Sequence, residues 1–403
     1  MKMLRYEIKK VFSKSKNRIA VIVLFVILAI TSILTINRVE YVDENGNSSV
    51  GISAARYLRE AKNQWSGYLT ADTLSKALEE TIKSSKEALS DDITEQNKAY
   101  AKKQGIAGIM DVIICAFSDY RDYNYYVTNQ VSDDEVGTIY ERRISTLKNW
   151  LESGEERFTQ AEKDFMIQKY KELKTPFYYK YIDGWAALLQ NISTFILVLA
   201  LVIGFLVSGI FSDEFQTKAD SIFFSARFGR SRGIFAKVGA GFYITTGFYL
   251  MFVFLYTFIV LFVLGADGAS CPIQLDLWRS VYNITFLQAY LFIVLGGYIG
   301  TIFAATLGML ASAFTHSTPT AVIVPFIVLC AFPFLSRIIT LPGLCSFFPD
   351  QLLEIYLDIK EAGLITLGSK VTTIATVIVP VYAVVCLIFQ PILYRVYQKV
   401  EIK

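Results

Sequence analysis

The polar and apolar residues of this chain are arranged in long blocks. Six apolar blocks contain no Lys, Arg, Asp or Glu, and an α-helix needs about 20 such residues to cross a bilayer. Because a bilayer offers no water to backbone polar groups, each block predicts a membrane-spanning helix. The predicted spans are 19–37, 186–210, 238–264, 284–313, 318–336 and 371–392.

Residues 38–185, between the first two blocks, form a polar insertion long enough for a small domain. Residues 106–117 within it are apolar but too short to span, which predicts a helix buried inside this domain. The pattern therefore predicts an all-α membrane protein of six spans, with a mostly helical domain inserted between the first and second. Two further helices are indicated by apolar residues at helical spacing, Leu74, Leu78, Ile82, Leu89 and Ile93 in one and Ile144, Leu147 and Leu151 in the other.

The segment before the first span has an amphipathic pattern, which predicts an elbow helix lying on the membrane surface. A basic flank that only orients the first span is the alternative. A cleaved signal peptide is disfavoured, because the apolar run is too long and no small-residue cleavage site follows it. The apolar stripe of this segment is Leu4, Ile8, Val11 and Phe12, with lysines opposite.

The segment between the second and third spans is also amphipathic, and predicts a short helix at about 213–232 that includes a basic turn at 229–233. A short amphipathic helix between two spans is suited to pass force from a soluble partner to those spans. Its predicted apolar face is Ile222, Phe223, Phe224 and Phe228, while Asp213, Glu214, Lys218 and Asp220 are expected to meet water.

Composition indicates the class of protein, and the distribution of charge predicts its orientation in the membrane. The chain has 403 residues, of which 53% are hydrophobic and only 19% charged, which is too apolar for an ordinary soluble protein. Segments 1–18, 211–237 and 393–403 carry a net charge of +10, whereas the alternating segments carry −7. Positive short loops remain cytoplasmic. Both termini are therefore predicted to be cytoplasmic and residues 38–185 extracellular, in a plasma membrane of bacterial type.

Several smaller features add expectations. Gly296 and Gly300 form a small-xxx-small pair, which lets helices approach closely within this subunit or across a dimer. Cys271 and Cys345 lie in two outer loops and could form a disulfide if the outer compartment is oxidising. A loop at about 337–370 is expected to re-enter or lie on the membrane before the last span.

Two groups of aromatic residues stand out, one immediately before the second predicted span and one in the polar insertion. The first group predicts an aromatic belt at the outer membrane interface. The second predicts either an outer-domain surface that binds a peptide or lipid headgroup, or core packing with exposed hydroxyls. The belt is Tyr178, Tyr179, Tyr181 and Trp185, and the surface is Tyr120, Tyr123, Tyr125 and Tyr126.

Motifs of enzyme chemistry are largely absent from the sequence. Its one histidine, His316, is expected to be a solvated loop residue, and no Cys/His spacing suits a metal. No Gly-rich phosphate loop with a lysine is present, so the chain is not expected to bind and split ATP itself. No carboxylate lies in a predicted span, which disfavours a proton- or sodium-coupled carrier. No nucleic-acid partner is expected.

The inner segment reads Ser-Asp-Glu-Phe-x-x-Lys-Ala-Asp-Ser-Ile-x-x-Ser-x-x-x-x-Arg-Ser-Arg-x-x-x-x-Lys. With the six spans, the elbow and the outer loop, it resembles the type-2 ABC exporter permease family, in a form with an enlarged first extracellular loop. That family has Glu-x-x-x-Gly-Thr, then Ser-Arg and a later Lys. Glu214, Ser231, Arg232 and Lys237 stand at the matching positions, whereas Ala219 and the stretch 226–229 depart from the family's glycine and proline turn.

The resemblance implies a division of the chain into 1–37 with the elbow and first span, 38–185 as extracellular domain, and 186–403 with the remaining spans. It implies a second permease subunit and a separate ATPase that holds ATP and Mg. This ATPase would dock on Glu214, Phe223, Phe224, Phe228, Arg230, Arg232 and Lys237 and drive export of an amphipathic or hydrophobic cargo, such as a peptide, antibiotic or lipid-like molecule. The alternative is a membrane sensor or immunity protein whose outer domain binds a peptide or antibiotic without transport.

Overall fold

The computed structural model describes residues 2–331, 345–368 and 370–400. The helices are α1 (Lys2–Ser13), α2 (Ser15–Ile36), α3 (Ile52–Asn63), α4 (Ala71–Glu87), α5 (Ile93–Phe117), α6 (Asp133–Val136), α7 (Ile139–Ser153), α8 (Gln160–Glu172), α9 (Asp183–Val207), α10 (Asp213–Gln216), α11 (Asp220–Ser225), α12 (Ile234–Leu264), α13 (Phe286–Thr315), α14 (Thr318–Cys330), α15 (Ile355–Glu361) and α16 (Ile374–Gln398). The antiparallel strand pairs are β1 (Glu40–Val42) with β2 (Ser48–Val50), β3 (Gly67–Tyr68) with β4 (Tyr178–Tyr179), and β5 (Leu364–Leu367) with β6 (Lys370–Thr373).

Five described helices are long and apolar enough to cross a membrane: α2, α9, α12 with the turn before it, α13 and α16. They correspond to five of the six predicted spans, and the chain is consistent with a multi-pass membrane protein. The sixth candidate, α14, has 13 residues, about 20 Å at 1.5 Å per residue, which is short of the ~30 Å hydrocarbon core. The rest of that predicted span, 332–336, lies outside the described residues.

The bundle is organised around α13, which packs against α9, α12, α14 and α16. Inside the bundle, buried tyrosine hydroxyls form hydrogen bonds with polar groups of neighbouring helices. Tyr256 lies 2.6 Å from the Thr35 hydroxyl of α2 and stacks on Phe195 of α9 with ring centroids 4.4 Å apart. The Tyr249 hydroxyl donates to the Val294 carbonyl at 2.7 Å. These bonds let tyrosines be buried among apolar helices without unpaired hydroxyls.

The polar insertion is mostly helical, as predicted, and it winds around α5. The second half of α5 is the buried helix expected at 106–117. The helix expected from Leu74 to Ile93 is instead divided: α4 ends at Glu87, and Leu89 and Ile93 are exposed. Strands β3 and β4 pair with each other, so the chain between them, 69–177, begins and ends at the same place in the structure and forms one unit.

The polar domain shares one hydrophobic core with the apolar bundle. Arg143 of α7 is buried and donates to the carbonyls of Trp278 at 3.1 Å and Ser280 at 2.9 Å. The Lys62 ammonium of α3 bonds both carboxylate oxygens of Asp183, the first residue of α9, at 2.7 Å. The domain is thus fixed on the bundle and on the loop 265–285.

The aromatic belt expected before the second span is not a surface feature. Tyr179, Tyr181 and Trp185 are buried in the core that joins domain and bundle, and only Tyr178 is exposed. The belt prediction was wrong because the polar domain covers these rings, so they meet protein instead of the membrane interface.

The predicted re-entrant loop is described from residue 345, while 337–344 lie outside the described residues. Its 3₁₀ turn at Pro349–Leu352 and the start of α15 lie against Gly296 and Gly300 of α13. A Cβ on Gly296 would be 1.9 Å from the Ile355 Cδ1, and one on Gly300 would be 3.2 Å from the Leu353 Cδ2. These glycines are about 15 and 21 Å along α13 from its first residue. The glycine pair therefore packs a loop within this chain, at the middle of the bundle.

Candidate functional site

The inner segment between α9 and α12 folds as two short helices instead of the single helix predicted at 213–232. Lys218 has a φ of +56°, a left-handed conformation that ends α10, and the Ala219 amide then donates to the Glu214 carbonyl at 2.8 Å. After α11, a turn at Gly229–Gly233 leads into α12. A Cβ on Gly229 would lie 1.8 Å from the Phe223 carbonyl oxygen, so this turn requires glycine.

The segment predicted as an elbow is a helix, α1, which packs against α12 and α2, while its position on a membrane surface stays a prediction. Val11 is buried, and Phe12 stacks on Phe248 with ring centroids 5.5 Å apart. The Asn17 amide of α2 donates to the Val11 carbonyl at 2.8 Å, and the Arg18 guanidinium donates to the Phe12 carbonyl at 2.9 Å. Because these bonds cap the end of α1, the elbow is fixed to the first apolar helix.

Three lysines and three carboxylates meet between α1, α10 and α12. We call this set the charged clamp; its residues are Glu7, Lys10, Lys14, Asp213, Glu214 and Lys237. At its centre, Glu214 accepts bonds from the Lys10 ammonium at 2.6 Å and the Lys237 ammonium at 2.7 Å. Lys237 also donates to the Glu7 carboxylate at 3.2 Å and to the Ile210 carbonyl at 2.8 Å. Lys14 forms an ion pair with Asp213.

The charged forms of Glu214 and Lys10 are favoured although the centre of the clamp is buried. Glu214 is 5% exposed and Lys237 is 0% exposed. Burial alone would raise the pKa of Glu214, but Lys237 and Lys10 more than offset it and hold that pKa below its ordinary value. Burial likewise opposes the charge of Lys10, yet Glu214 raises the Lys10 pKa above its ordinary value. The Tyr397 hydroxyl of α16 completes the shell of Glu214 at 3.4 Å.

This geometry corrects the expected position of the acidic residues. Asp213 and Glu214 were expected to meet water, but both are buried. Glu214 and Lys237 therefore bond to each other inside the chain and present no surface to a partner in this structure. No local spacing predicts this burial, because the partners of Glu214 and Lys237 on α1 are 204 and 230 residues away along the chain.

The aromatic residues of the segment divide between core and surface. Phe224 is buried and Phe223 half-buried around the Tyr397 ring, with centroids 5.2 and 6.1 Å from it. Ile222 is 73% exposed and Phe228 is 40% exposed. The apolar face was therefore predicted in part: two of its four residues are available to a partner or to lipid.

Two arginines, Arg227 and Arg232, lie next to the Phe228 ring. The guanidinium carbons of Arg227 and Arg232 lie 5.3 and 4.7 Å from its ring centroid. Arg230 instead donates to the carbonyls of Gln398 at 2.7 Å and Val400 at 2.9 Å, where it caps the end of α16. The exposed large apolar side chains and the exposed arginines of the segment are thus Ile222, Phe228, Arg227 and Arg232, and we call this set the basic–apolar patch.

His316 was expected to be a solvated loop residue, but it is half-buried beside this segment. Its ring stacks on Phe215 with centroids 3.6 Å apart, and burial lowers the pKa of His316 below its ordinary value. Nearby, the Ser212 and Thr318 hydroxyls lie 2.8 Å apart. The inner segment is therefore also tied to the start of α14.

The four tyrosines of the polar domain do not form one surface. Tyr120 stacks on Trp150 with centroids 4.5 Å apart and lies 3.1 Å from the Tyr170 hydroxyl. The Tyr123 hydroxyl donates to the Asp111 carboxylate at 2.5 Å, whereas Tyr125 and Tyr126 are exposed and pack edge to face. Tyr120 thus supports the core-packing alternative, whereas Tyr123, Tyr125 and Tyr126 are exposed.

Cys271 is a buried free thiol in this structure, and burial raises its pKa to about 11. Its predicted disulfide with Cys345 is not formed there and stays a prediction. Among the described residues, no group of three or more His, Cys, Asp or Glu side chains is placed to hold a metal ion.

Comparisons of the chain with known protein families, with curated proteins and with solved structures found no match. The candidate site is therefore defined by its own geometry: a charged clamp that joins the elbow to the inner segment, and a basic–apolar patch exposed beside it.

Proposed function

We propose that this chain is the membrane-spanning subunit of an ATP-driven exporter of the type-2 ABC permease kind, which moves an amphipathic or hydrophobic cargo outward. The observation that carries the proposal is the charged clamp. Through Lys14 and Lys237 it joins the inner segment to the start of α2 and to α12, and the Tyr397 hydroxyl joins Glu214 to α16. A displacement of the segment is thereby transmitted to several apolar helices at once.

The clamp suits this role because it is stiff. Removing one partner of a buried ion pair costs about 3–5 kcal/mol, so the segment cannot separate from α12 without a large penalty. Short, well-bonded connections of this kind transmit motion, whereas a flexible loop would absorb it. The energy would come from a separate ATPase subunit that binds ATP and Mg, and a second copy of this chain or a related permease would complete the pathway.

The basic–apolar patch is the proposed ATPase contact. Aromatic and arginine side chains are enriched among the residues that dominate binding energy at protein interfaces, and Phe228 lies between two arginines. Because Glu214 and Lys237 are buried, their role in this proposal is to hold the segment, and Ile222, Phe228, Arg227 and Arg232 provide the contact. The patch would face the cytoplasm and the polar domain the outside.

The test is co-purification of the full chain with a co-expressed ATPase from a neighbouring reading frame. Ile222→Ser with Phe228→Ser should abolish both co-purification and cargo-stimulated ATP hydrolysis. The matched control is Leu89→Ser with Ile93→Ser, since these residues are also exposed and apolar but lie in the polar domain. Equal ATPase binding by both double variants would refute the patch, and the absence of any ATPase partner would refute the transporter.

A second candidate function, a ligand sensor, is favoured by one cavity. A space of about 460 Å³ lies between the polar domain and the α15–β5 loop, lined by Tyr120, Trp150, Phe158, Arg279 and Lys360 among others. Its size and its mixture of aromatic and charged walls are those of ligand pockets. Peptide or antibiotic binding to the full chain that Arg279→Gln abolishes, without ATP-dependent flux in vesicles, would favour the sensor.

A further inference from the structure

A lateral groove runs between α1, α12 and α16 on the side of the bundle that holds the clamp. It has a volume of about 920 Å³, at the upper end of the range for small-molecule sites. Its walls are largely apolar and aromatic, with Phe235, Phe242 and Tyr243 exposed on α12. Gly239 lines the groove, and only the Leu4 Cδ1 would lie within 4 Å of a Cβ there, at 3.4 Å.

The charged residues that line the groove have one sign. They are Lys2 of α1 and Arg232, which directly precedes α12, and no Asp or Glu is among the lining residues. Neither cation has an ion-pair partner among the described residues, although Arg232 lies over the Phe228 ring at 4.7 Å. The groove therefore attracts a ligand with an anionic head and an apolar tail.

The length of the groove matches one leaflet of a bilayer. Arg232 and Tyr243 are eleven residues apart, or about 17 Å along a helix, and half of the hydrocarbon core is about 15 Å. A lipid phosphate at Lys2 and Arg232 would thus place its acyl chain along Phe235, Gly239 and Tyr243. Basic pockets between membrane helices are known to bind anionic lipid headgroups.

We infer that this groove binds an anionic phospholipid of the leaflet on the α1 side. Such a lipid would fill the space between the elbow and α16 and so brace the charged clamp from outside. The inference goes beyond the proposed transport function, because it needs neither an ATPase nor a cargo.

The test is native mass spectrometry of the full chain in detergent, titrated with phosphatidylglycerol or with phosphatidylcholine of the same acyl chains. Wild type should retain phosphatidylglycerol preferentially. Lys2→Gln with Arg232→Gln should lower its affinity for phosphatidylglycerol about thirtyfold, the effect of losing two cation–phosphate attractions. The matched control, Arg5→Gln with Lys9→Gln, removes the same charge from α1 outside the groove and should leave the affinity within about threefold of wild type.

A second variant tests the apolar part of the groove. Gly239→Leu keeps both cations but fills the space beside Leu4, so it should lower retention of phosphatidylglycerol at unchanged charge. Phosphatidylglycerol with a photoreactive acyl chain should cross-link wild type within 231–243 or 2–4. Equal retention of the two lipids by wild type, an equal loss in the Arg5 and Lys9 control, or cross-links elsewhere would overturn the inference.

Discussion

Lys237 is predicted to be the most stabilising member of the charged clamp. Its ammonium bonds Glu214, Glu7 and the Ile210 carbonyl and is fully buried. Lys237→Met would leave Glu214 buried with a single lysine partner and the Ile210 carbonyl without its side-chain donor. Breaking a buried pair in this way costs about 3–5 kcal/mol.

Lys10 is the internal comparison, because it bonds the same carboxylate at 2.6 Å but its side chain is 35% exposed. An ion pair that is partly in water contributes about 0–1 kcal/mol. Lys10→Met should therefore cost much less than Lys237→Met, although the two variants remove the same charge from the same partner.

Hydrogen exchange of the purified full chain measures this difference locally. Opening of the clamp should increase exchange in residues 2–13 and 211–225 more than a hundredfold in Lys237→Met, since 1.4 kcal/mol corresponds to tenfold. Lys10→Met should change it by less than about tenfold. Adding Glu214→Gln to Lys237→Met should recover part of the protection, because the uncompensated charge is then removed.

Equal exchange in the two single variants would refute the assignment of Lys237 as the central buried partner. A change confined to the polar domain would also contradict it, since no residue of the clamp lies there.

Four further outcomes are expected. Because the pKa of Glu214 is lowered on folding, its contribution to clamp stability should be fully present above its ordinary pKa of 4.5 and be lost progressively as pH falls from there through the lower folded value, as measured by exchange of α1 against pH. Arg143→Met should leave two buried carbonyls without their donor and cost about 2–4 kcal/mol, detected as faster proteolysis between polar domain and bundle. Gly296→Ala should displace the re-entrant loop at a cost of about 1–3 kcal/mol, whereas Gly247→Ala, with nothing within 4 Å, should be neutral or stabilising by thermal melting. Ser225→Cys, in a chain whose native cysteines are replaced, should react with an impermeant maleimide only after the cells are opened, and reaction in intact cells would reverse the proposed orientation.

The clamp shows why burial could not be predicted from local pattern. Asp213 and Glu214 have the sequence environment of a solvated helix end, and lysines at 10, 14 and 237 resemble a basic flank. Only folding brings the two sets together, and the pair Lys10–Glu214 is separated by 204 residues. A charge that is paired by a distant segment is stable when buried, so its position depends on the partner and not on its neighbours.

Tyr179 and Tyr181 are aromatic residues whose burial also could not be predicted from the local sequence. An amphipathic ring beside an apolar run fits both a membrane interface and a protein core, because either environment accepts an apolar body with a polar tip. The polar domain covers these rings and decides between the two.

The sequence by itself determined where the five long apolar helices lie, that the polar insertion is mostly helical and that residues 2–13 form an amphipathic helix. Each of these follows from the spacing of apolar residues within one segment, which is a local property. The tertiary structure alone decided which charges are buried, that the glycine pair of α13 packs against residues 352–355, and which residues remain exposed beside the clamp. These features depend on contacts between segments far apart in the chain, and the residues adjacent in sequence do not predict such contacts.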